Sequence, residues 1–441
     1  MMTNYTFEEI TQFIEENDVK FIRLAFCDIF GTQKNISIMP RELARAFEEG
    51  ISFDASSVRG FMNVEASDLL LFPDPRTLSV LPWRPSQGRV VRFFCDIRYP
   101  DGRPFEGDGR NMLRQAHKEM QALGYSVKIG TECEFYLLQN DENGMPTKRP
   151  HDTASYMDIA PLDKGENVRR QICLTLEEMN LRPEASHHET GPGQNEIDFA
   201  YASALDAADN LITFRGAVKT IAAANGLYAS FMPKPFRDHA GSGLHINISL
   251  YKRGENLFTG ESSENDQISS SFMMGIMNRV YDMTAFLNPL VNSYERFGEC
   301  EAPRYITWSH QNRSQLIRIP AAHGDKSRME LRSSDPCANP YLAFTLLIRA
   351  GIEGIQRELH LCDPCNLNLY DVPQSSVREY DCLPSNLNEA IRAAADSDFI
   401  HASLPEKIIQ SYLDAKRAEW TRYADAGNKS QIIDTLYFYR Y

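Results

Sequence analysis

The sequence predicts an α+β protein in which a small β-rich domain precedes a larger α+β domain. Residues 19–99 form short β-branched and aromatic runs that Gly and Pro separate. From residue 111 onward, helical segments alternate with extended runs, which favours helices on a largely antiparallel sheet. The run at 99–110, YPDGRPFEGDGR, concentrates Pro, Gly and charge. We therefore predict domains at residues 1–104 and 105–441.

The predicted small domain begins with a helix and continues with strands. After an amphipathic first helix, the predicted strands of the small domain are VKFIRLAFCD, KNISIM, LSVLPW and RVVRFFCDIRY. The larger domain opens with the helix NMLRQAHKEMQALG and continues with the strand YSVKIGTECEFYLL. Its later helices are predicted at ENVRRQICLTLEEMN and AADNLITFRGAVKTIAAANG.

Composition and charge exclude several classes of function. The chain has 441 residues, with 60 acidic against 46 basic side chains and a formal charge of -14. This balance argues against a nucleic-acid or anionic-membrane partner. No apolar run approaches the roughly 20 residues of a membrane helix, and the acidic amino terminus is unlike a signal peptide. Nine scattered cysteines fit a reducing compartment, so we expect a cytoplasmic protein.

Carboxylates recur on one face of several predicted strands. In an extended run, residues two apart point to the same side, so Glu132 and Glu134 are presented in parallel. The run GLHINISLY presents His245 in the same way, and RMELRSS presents Glu330. A further run, HHETGPGQNEIDF, places Glu189 and Glu196 on either side of a Gly-Pro-Gly turn.

Each strand taken alone is typical of a solvent-exposed face. Together, five carboxylates and one imidazole would repel one another unless cations neutralise the charge. Oxygen-dominated ligand sets select Mg²⁺ or Mn²⁺ over zinc. Metals flanked by arginines are what phosphoryl transfer requires, so these strands together indicate a metal-dependent phosphoryl-transfer site.

Seven longer motifs carry a family resemblance. They are FDASSVRGF (53–61), GTECEF (130–135), ASHHETGPGQNEIDF (185–199), FMPKP with GSGLHINISL (231–250), NSYERF with EAP (292–303), NRSQLIRIP (312–320) and RMELRSSDPCANPYL (328–342). In this order they resemble the glutamine synthetase family, and the short length resembles its compact bacterial class. The resemblance implies a β-grasp-like amino-terminal domain and a catalytic domain on a curved antiparallel sheet. It also implies ATP-dependent ligation of ammonia to glutamate through γ-glutamyl phosphate.

The resemblance implies a role for each matching residue. Two or three Mg²⁺ or Mn²⁺ ions would be held by two ligand sets, namely Glu134, Glu189 and Glu196 for the tighter metal, and Glu132, His245 and Glu330 for the second. The catalytic residues would be Asp54, Glu301, Arg313 and Arg318. Glutamate would be bound by Gly241, Arg296 and Arg332, and ATP by Glu184, Ser249 and Arg328.

The resemblance also implies an assembly. Asp54 lies in the small domain and the metal ligands in the large one, and the family builds each active site between neighbouring subunits of two hexameric rings. We therefore expect a homo-oligomeric dodecamer. In the family the end of the chain packs into the opposite ring, whereas a core strand is the alternative for the tail IIDTLYFYRY.

The sequence departs from the family pattern at several places. The flap segment YERFGECEAP is one residue shorter than usual and lacks a proline. Ala240 stands where an asparagine is usual, and Asn63 stands where an arginine is common. Tyr370 resembles a tyrosine that is adenylylated in the longer class. These differences bear on kinetics and regulation more than on the type of reaction.

Three other functions compete with this interpretation. A γ-glutamyl-amine ligase would keep the metals and use a polyamine in place of ammonia, but retention of Asp54 and Glu301 favours ammonia. A catalytically silent regulatory assembly would have lost metal ligands, and all six are present. A generic acidic metal-binding protein does not explain the clustered arginines.

Overall fold

The computed structural model describes residues 5–260 and 263–441. In its first hundred residues, six strands and two helices form a small layer. They are α1 Phe7–Glu16, β1 Val19–Cys27, β2 Gln33–Ile38, α2 Leu43–Glu48, β3 Ile51–Asp54, β4 Asp68–Pro73, β5 Ser79–Val80 and β6 Arg89–Arg98. The strand order is β2-β1-β6-β4-β3, with β5 against β6. β1 and β6 run parallel, and the other pairs are antiparallel.

Sequence reasoning missed two strands of this sheet. β3 has four residues, and β4 contains a run of four apolar residues without visible alternation. Both are defined by pairing, since β4 lies between β3 and β6. The predicted strand LSVLPW is wrong beyond Ser79–Val80, because Pro82 has no N–H to extend the ladder.

A second sheet and its helices make up the remainder of the described chain. The elements are α3 Gly109–Ala122, β7 Ser126–Asn140, β8 Pro146–Pro150, α4 Glu166–Glu178, β9 Pro183–His188, β10 Gln194–Phe199, β11 Ala202–Ser203, α5 Ala204–Ala224, β12 Leu227–Ser230, β13 Leu244–Lys252, β14 Glu255–Asn256, α6 Ser263–Leu287, β15 Trp308–His310, β16 Ile317–Ile319, β17 Met329–Leu331, α7 Pro340–Gln356, α8 Leu387–Asp396, α9 Asp398–Ser403, α10 Glu406–Asp425 and α11 Lys429–Ile433. The strand order is β15-β16-β17-β13-β7-β10-β9.

The predicted antiparallel sheet is confirmed, with β15 and β16 as its one parallel pair along this order. The long central strand β7 also carries β8, β11 and β12. Its alternate residues Cys133 and Phe135 are buried against helix α5, where Phe135 contacts Phe214 edge-on. The opposite face of β7 carries Glu132 and Glu134, so helix packing on one side leaves the polar side chains on the other.

The carboxyl-terminal segment packs on its own chain. After α11, a π-helical turn spans Asp434–Phe438, so the core-strand alternative for this segment is wrong. Tyr437 and Phe438 are buried, and the Phe231 amide donates a hydrogen bond of 2.9 Å to the Tyr441 carbonyl. No helix in the described part of the chain is both long and apolar enough to span a bilayer.

A buried arginine joins the two sheets. Arg110 begins α3 and pairs with Asp74 and Asp96 of the small sheet and with Asp209 of α5, at 2.8–3.1 Å. Only 2% of the Arg110 side chain is exposed. Among the described residues, Arg110 is the one basic side chain paired with the buried Asp209, whereas Asp74 also pairs with Arg76 and Asp96 also pairs with Arg114.

We predict that Arg110→Met strongly destabilises the protein. The substitution leaves the buried Asp209 carboxylate without its ion-pair partner, which costs about 3–5 kcal/mol of unfolding free energy. Arg114→Met is the matched control, because Arg114 is 23% exposed and pairs with Asp96 alone. It should cost under about 1 kcal/mol. Urea denaturation measures both changes in unfolding free energy. Equal losses of stability in the two variants would refute the role of Arg110 as the buried counter-charge.

Candidate active site

The strand register gathers carboxylates on one face of the large sheet. Glu196 of β10 lies directly opposite Glu134 of β7, and Asp198 lies opposite Glu132. On the other side of β7, His245 of β13 is the cross-strand partner of Glu132. Glu330 of β17 follows in the next strand, opposite Asn247. Four neighbouring strands thus contribute ionisable side chains to a single patch.

The ligand atoms of this patch approach one another closely enough to share metal ions. Three groups each have ligand atoms within 4.8 Å of one another, namely Glu132 with His245 and Glu330, Glu134 with Glu196 and His245, and His187 with Glu189 and Glu196. All six residues singled out from sequence occur in these groups. Glu134 and Glu189 belong to different groups, and Glu196 is a member of both groups.

A buried network fixes the turn between β9 and β10 that carries Glu189. The Asp152 carboxylate accepts hydrogen bonds from the Gly193 amide at 2.8 Å and from the His188 ring at 2.9 Å. His188 is fully buried, and its other ring nitrogen lies 2.6 Å from the Glu189 carbonyl. Hydrogen bonds to Asp152 and His188 therefore fix the backbone on both sides of the Gly-Pro-Gly turn.

Arginines surround the other end of the patch. Arg318 and Arg332 both contact the Glu330 carboxylate, which is fully buried. Burial raises the pKa of Glu330, but the charges of Arg332 and His245 outweigh it and lower that pKa overall. Arg328 donates to the Asn247 side chain at 2.9 Å and lies 4.0 Å from Glu132.

Electrostatics differ along the patch. Burial, together with repulsion from Glu189, raises the pKa of Glu134 to about 7 despite the nearby His245. Burial and the neighbouring Glu134 raise the pKa of Glu196 well above its usual range. Burial also raises the pKa of Glu132, but hydrogen bonds from His245 and Asn247 bring it down to about 2. The Glu134 and Glu196 end therefore lacks enough positive charge to keep both carboxylates ionised at neutral pH.

These residues fit divalent cations. The donors are carboxylate oxygens and one or two imidazole nitrogens, the set that suits Mg²⁺ or Mn²⁺. Asp198, beside Glu132 and Glu196, has a buried oxygen without a hydrogen-bond partner in the described part of the chain. Its pKa is raised to about 6, by burial first and by the Glu132 charge second.

The buried side chain of Arg296 lies beside these carboxylates. This side chain is 3% exposed, and its Nη1 donates to the Ser333 and Ser334 carbonyls at 3.2 and 3.3 Å. Its Nε is buried without a partner among the described residues. A Cβ added at Gly241 would lie 2.5 Å from the Arg296 Cγ. It would also lie 2.6 Å from the Pro233 carbonyl oxygen, so only glycine fits at position 241.

The predicted flap residue lies over the arginines. Glu301 is 3.4 Å from Arg332 and 3.5 Å from Arg313. Cys300 and Glu301 both have positive φ, at 45° and 64°. Two consecutive non-glycine residues in this region are strained, as is common at functional loops.

Three predicted site residues lie outside these ligand groups. Asp54 is exposed at the end of β3, where its carboxylate accepts hydrogen bonds from Ser56 and Ser57. Glu184 is exposed on the edge strand β9. Ser249 is fully buried, and its hydroxyl donates to the Ser327 carbonyl at 3.0 Å. The roles of all three stay predictions.

Sequence reasoning missed several members of the site. Asp198 lies two residues beyond Glu196, so the strand alternation could have found it. Gln194 is 1% exposed, and its amide nitrogen donates to Glu134 at 2.8 Å and to the Gly241 carbonyl at 3.1 Å. Its amide oxygen accepts from the Gly191 amide. Gln194 thus joins a ligand carboxylate, the Gly241 loop and the β9–β10 turn.

Two family descriptions match separate parts of this chain. Residues 106–433 match the family described as glutamine synthetase, catalytic domain, and residues 18–100 match glutamine synthetase, beta-Grasp domain. The second match bears out the β-grasp prediction for the amino-terminal sheet. The chain is 45% identical over 427 residues to a protein named glutamine synthetase from Clostridium saccharobutylicum, covering 96% of each chain. It is also 45% identical over 423 residues to one from Methanosarcina mazei, covering 95% of each.

Solved structures share the fold over nearly the whole chain. A structure titled GmaS/ADP complex is 30% identical, covers 99% of this chain and 100% of its own, and has a TM-score of 0.86. A Plasmodium falciparum glutamine synthetase structure has a TM-score of 0.85, covers 97% of this chain and 98% of its own, and is 24% identical, so it supports the fold alone.

We predict that Gln194→Ala weakens divalent-metal binding. The change removes a hydrogen bond that orients Glu134, and the loss of such supporting contacts lowers metal affinity about 10- to 100-fold. Calorimetric titration with Mn²⁺ measures the affinity directly. Gln139→Ala is the matched control, because Gln139 lies on β7, the strand of Glu134, and its side-chain amide donates to the Pro150 carbonyl rather than to a carboxylate. An unchanged Mn²⁺ affinity in Gln194→Ala would contradict the assigned role.

Proposed function

The chain belongs to the glutamine synthetase family, and we propose that the carboxylate patch is its catalytic centre. The enzyme is a glutamate–ammonia ligase that converts glutamate, ammonia and ATP into glutamine, ADP and phosphate. The observation that carries the placement of the centre is the meeting of six predicted ligands with arginines on one sheet face.

The family uses ATP and divalent metal, and we assign the ligands residue by residue. Glu134, Glu189 and Glu196 form one set, and Glu132, His245 and Glu330 form the other, for two or three Mg²⁺ or Mn²⁺ ions. Bound divalent ions supply positive charge that offsets the phosphates and the carboxylates. The shortage of positive charge around Glu134 and Glu196 supports the first set, because a divalent ion would supply that charge.

Glutamate is positioned for phosphorylation by its α-carboxylate. Arg296 has an unpartnered Nε beside Gly241, which supports the binding of that carboxylate there. The side-chain carboxylate oxygen then attacks the γ-phosphorus of ATP, and the bond to ADP breaks. Arg313, Arg318 and Arg332 stabilise the charge of the transferred group. Glu184, Ser249 and Arg328 are the proposed nucleotide contacts.

Ammonia enters at the second step. The hydroxyls of Ser56 and Ser57 lower the pKa of Asp54, so this carboxylate is ionised and can hold an ammonium cation. Asp54 accepts a proton from the ammonium, the resulting ammonia attacks the acyl carbon, and the bond from that carbon to phosphate breaks. Glu301 covers the acyl phosphate and excludes water during this step.

We propose that Asp54 acts in the site of a neighbouring subunit, within a dodecamer of two hexameric rings. Its exposure supports this arrangement, because the carboxylate forms no contact with the metal-binding residues of its own chain in the described ranges. We place the domains at residues 1–104 and 105–441. A cytoplasmic location is supported by nine free cysteines and by the named relatives.

The first prediction concerns the acceptor. With ATP, Mg²⁺ and glutamate, the purified protein should release phosphate and form glutamine only when ammonium is added, as measured by phosphate release and product mass. Methylamine, ethanolamine and putrescine serve as competing acceptors in the same assay. Turnover with an organic amine alone would identify a γ-glutamyl-amine ligase instead.

The second prediction concerns the shared site. Asp54→Asn and Glu134→Ala should each abolish activity when expressed alone, because each removes one half of every site. Co-expression in equal amounts should restore about a quarter of wild-type activity, since random assembly pairs two intact halves at that frequency. Absence of any recovery in mixed oligomers of normal size would place both residues in the same subunit's site.

A further inference from the structure

The flap is anchored at a second point besides Glu301. We define the flap as residues 298–303, a tight turn in which the Gly298 amide bonds to the Ala302 carbonyl and the Ala302 amide bonds to the Glu299 carbonyl. Glu301 faces the arginines, as described above. The Glu299 carboxylate points to a different cation, with its Oε2 3.6 Å from the Lys234 ammonium.

Lys234 is an unusual surface partner because it is buried. Its side chain is 4% exposed, whereas that of Glu299 is 65% exposed. The ammonium also donates to the His239 carbonyl at 2.9 Å, and the Lys234 carbonyl accepts from Asn292 at 3.0 Å. The lysine is therefore held at both its ammonium and its carbonyl, whereas the Glu299 side chain is exposed on the flap.

Lys234 belongs to the loop that contacts the buried side chain of Arg296. We define this substrate loop as residues 233–242, which the Ser242 amide closes by bonding to the Pro233 carbonyl at 2.8 Å. Gly241 in this loop lies against Arg296. The Lys234 side chain thus contacts both the substrate loop and the flap.

The charge balance favours the flap in place. A buried ammonium is costly unless an anion compensates it, and its contact on the substrate loop is a neutral carbonyl. Glu295 is half-buried nearby, and the charges of Arg237 and Lys234 both act on it. Burial nevertheless raises the pKa of Glu295 overall. Among the described residues, Glu299 is the carboxylate within 4.0 Å of the Lys234 ammonium. Moving the flap away would leave the lysine less well compensated.

We propose that Lys234 is a positioning residue that latches the flap through Glu299 and so keeps Glu301 over the acyl phosphate. The inference rests on the proposed function, because the Lys234–Glu299 contact limits the hydrolysis of an intermediate that only this reaction forms. When the flap opens early, water attacks γ-glutamyl phosphate and yields glutamate and phosphate. ADP then accumulates without an equal amount of glutamine.

The test compares the ratio of ADP to glutamine in variants of the full enzyme. Glu299→Gln and Lys234→Met should both raise the excess of ADP over glutamine about two- to fivefold, the range expected for a partly exposed ion pair. The double variant should match the single ones, because both remove the same contact. Lys234→Arg should restore most of the coupling. The Lys252→Met variant is the control, since it breaks a surface Lys–Glu pair with Glu264 at 2.7 Å.

A second measurement separates this proposal from the proposed function. Hydrogen–deuterium exchange of the flap amides 298–302 should be about two- to fivefold faster in Glu299→Gln than in the wild type, whatever reaction the enzyme catalyses. Unchanged flap exchange in Glu299→Gln would overturn the latch even if glutamine is made. Faster flap exchange without ammonium-dependent turnover in the wild type would keep the latch and overturn the proposed function.

Discussion

Like charges in direct cross-strand register are the constraint on which this structure depends. Glu196 lies opposite Glu134, and Asp198 opposite Glu132, in pairs that repel when both members are ionised. A sheet does not gain stability from such pairs, and burial makes them worse. The surrounding architecture compensates by placing His245, Arg318 and Arg332 around the patch and by leaving room for divalent cations.

The part of this arrangement that alternation encodes was predictable from sequence. Glu132 and Glu134 share a strand face whatever partners the strand finds, and the same holds for His245. Apolar residues between them, such as Cys133 and Ile246, had to be buried for the sheet to have a core. The family motifs then supplied the roles, which no periodicity could give.

Other parts depend on contacts distant in the sequence. Gln194 reads as an ordinary strand residue, and its importance comes from Gly241, 47 positions away. Strands β3 and β4 are too short or too uniformly apolar to be recognised without their partner β6. The carboxyl-terminal aromatic run fits a strand by composition, but its surroundings favour a helical turn against β12 and α10. Tertiary context overrides local propensity in each case.

The two ends of the patch solve the charge problem differently, and the difference suits sequential chemistry. Around Glu330, the arginines are present before any ligand arrives, so the guanidinium groups are already oriented where phosphate charge would develop. Around Glu134 and Glu196 no arginine contacts either carboxylate within the described ranges, and protons or metal ions must neutralise the charge. A fixed cationic end needs little reorganisation during phosphoryl transfer. The end that lacks fixed cations gains most from a metal ion, so metal binding and site formation are coupled there.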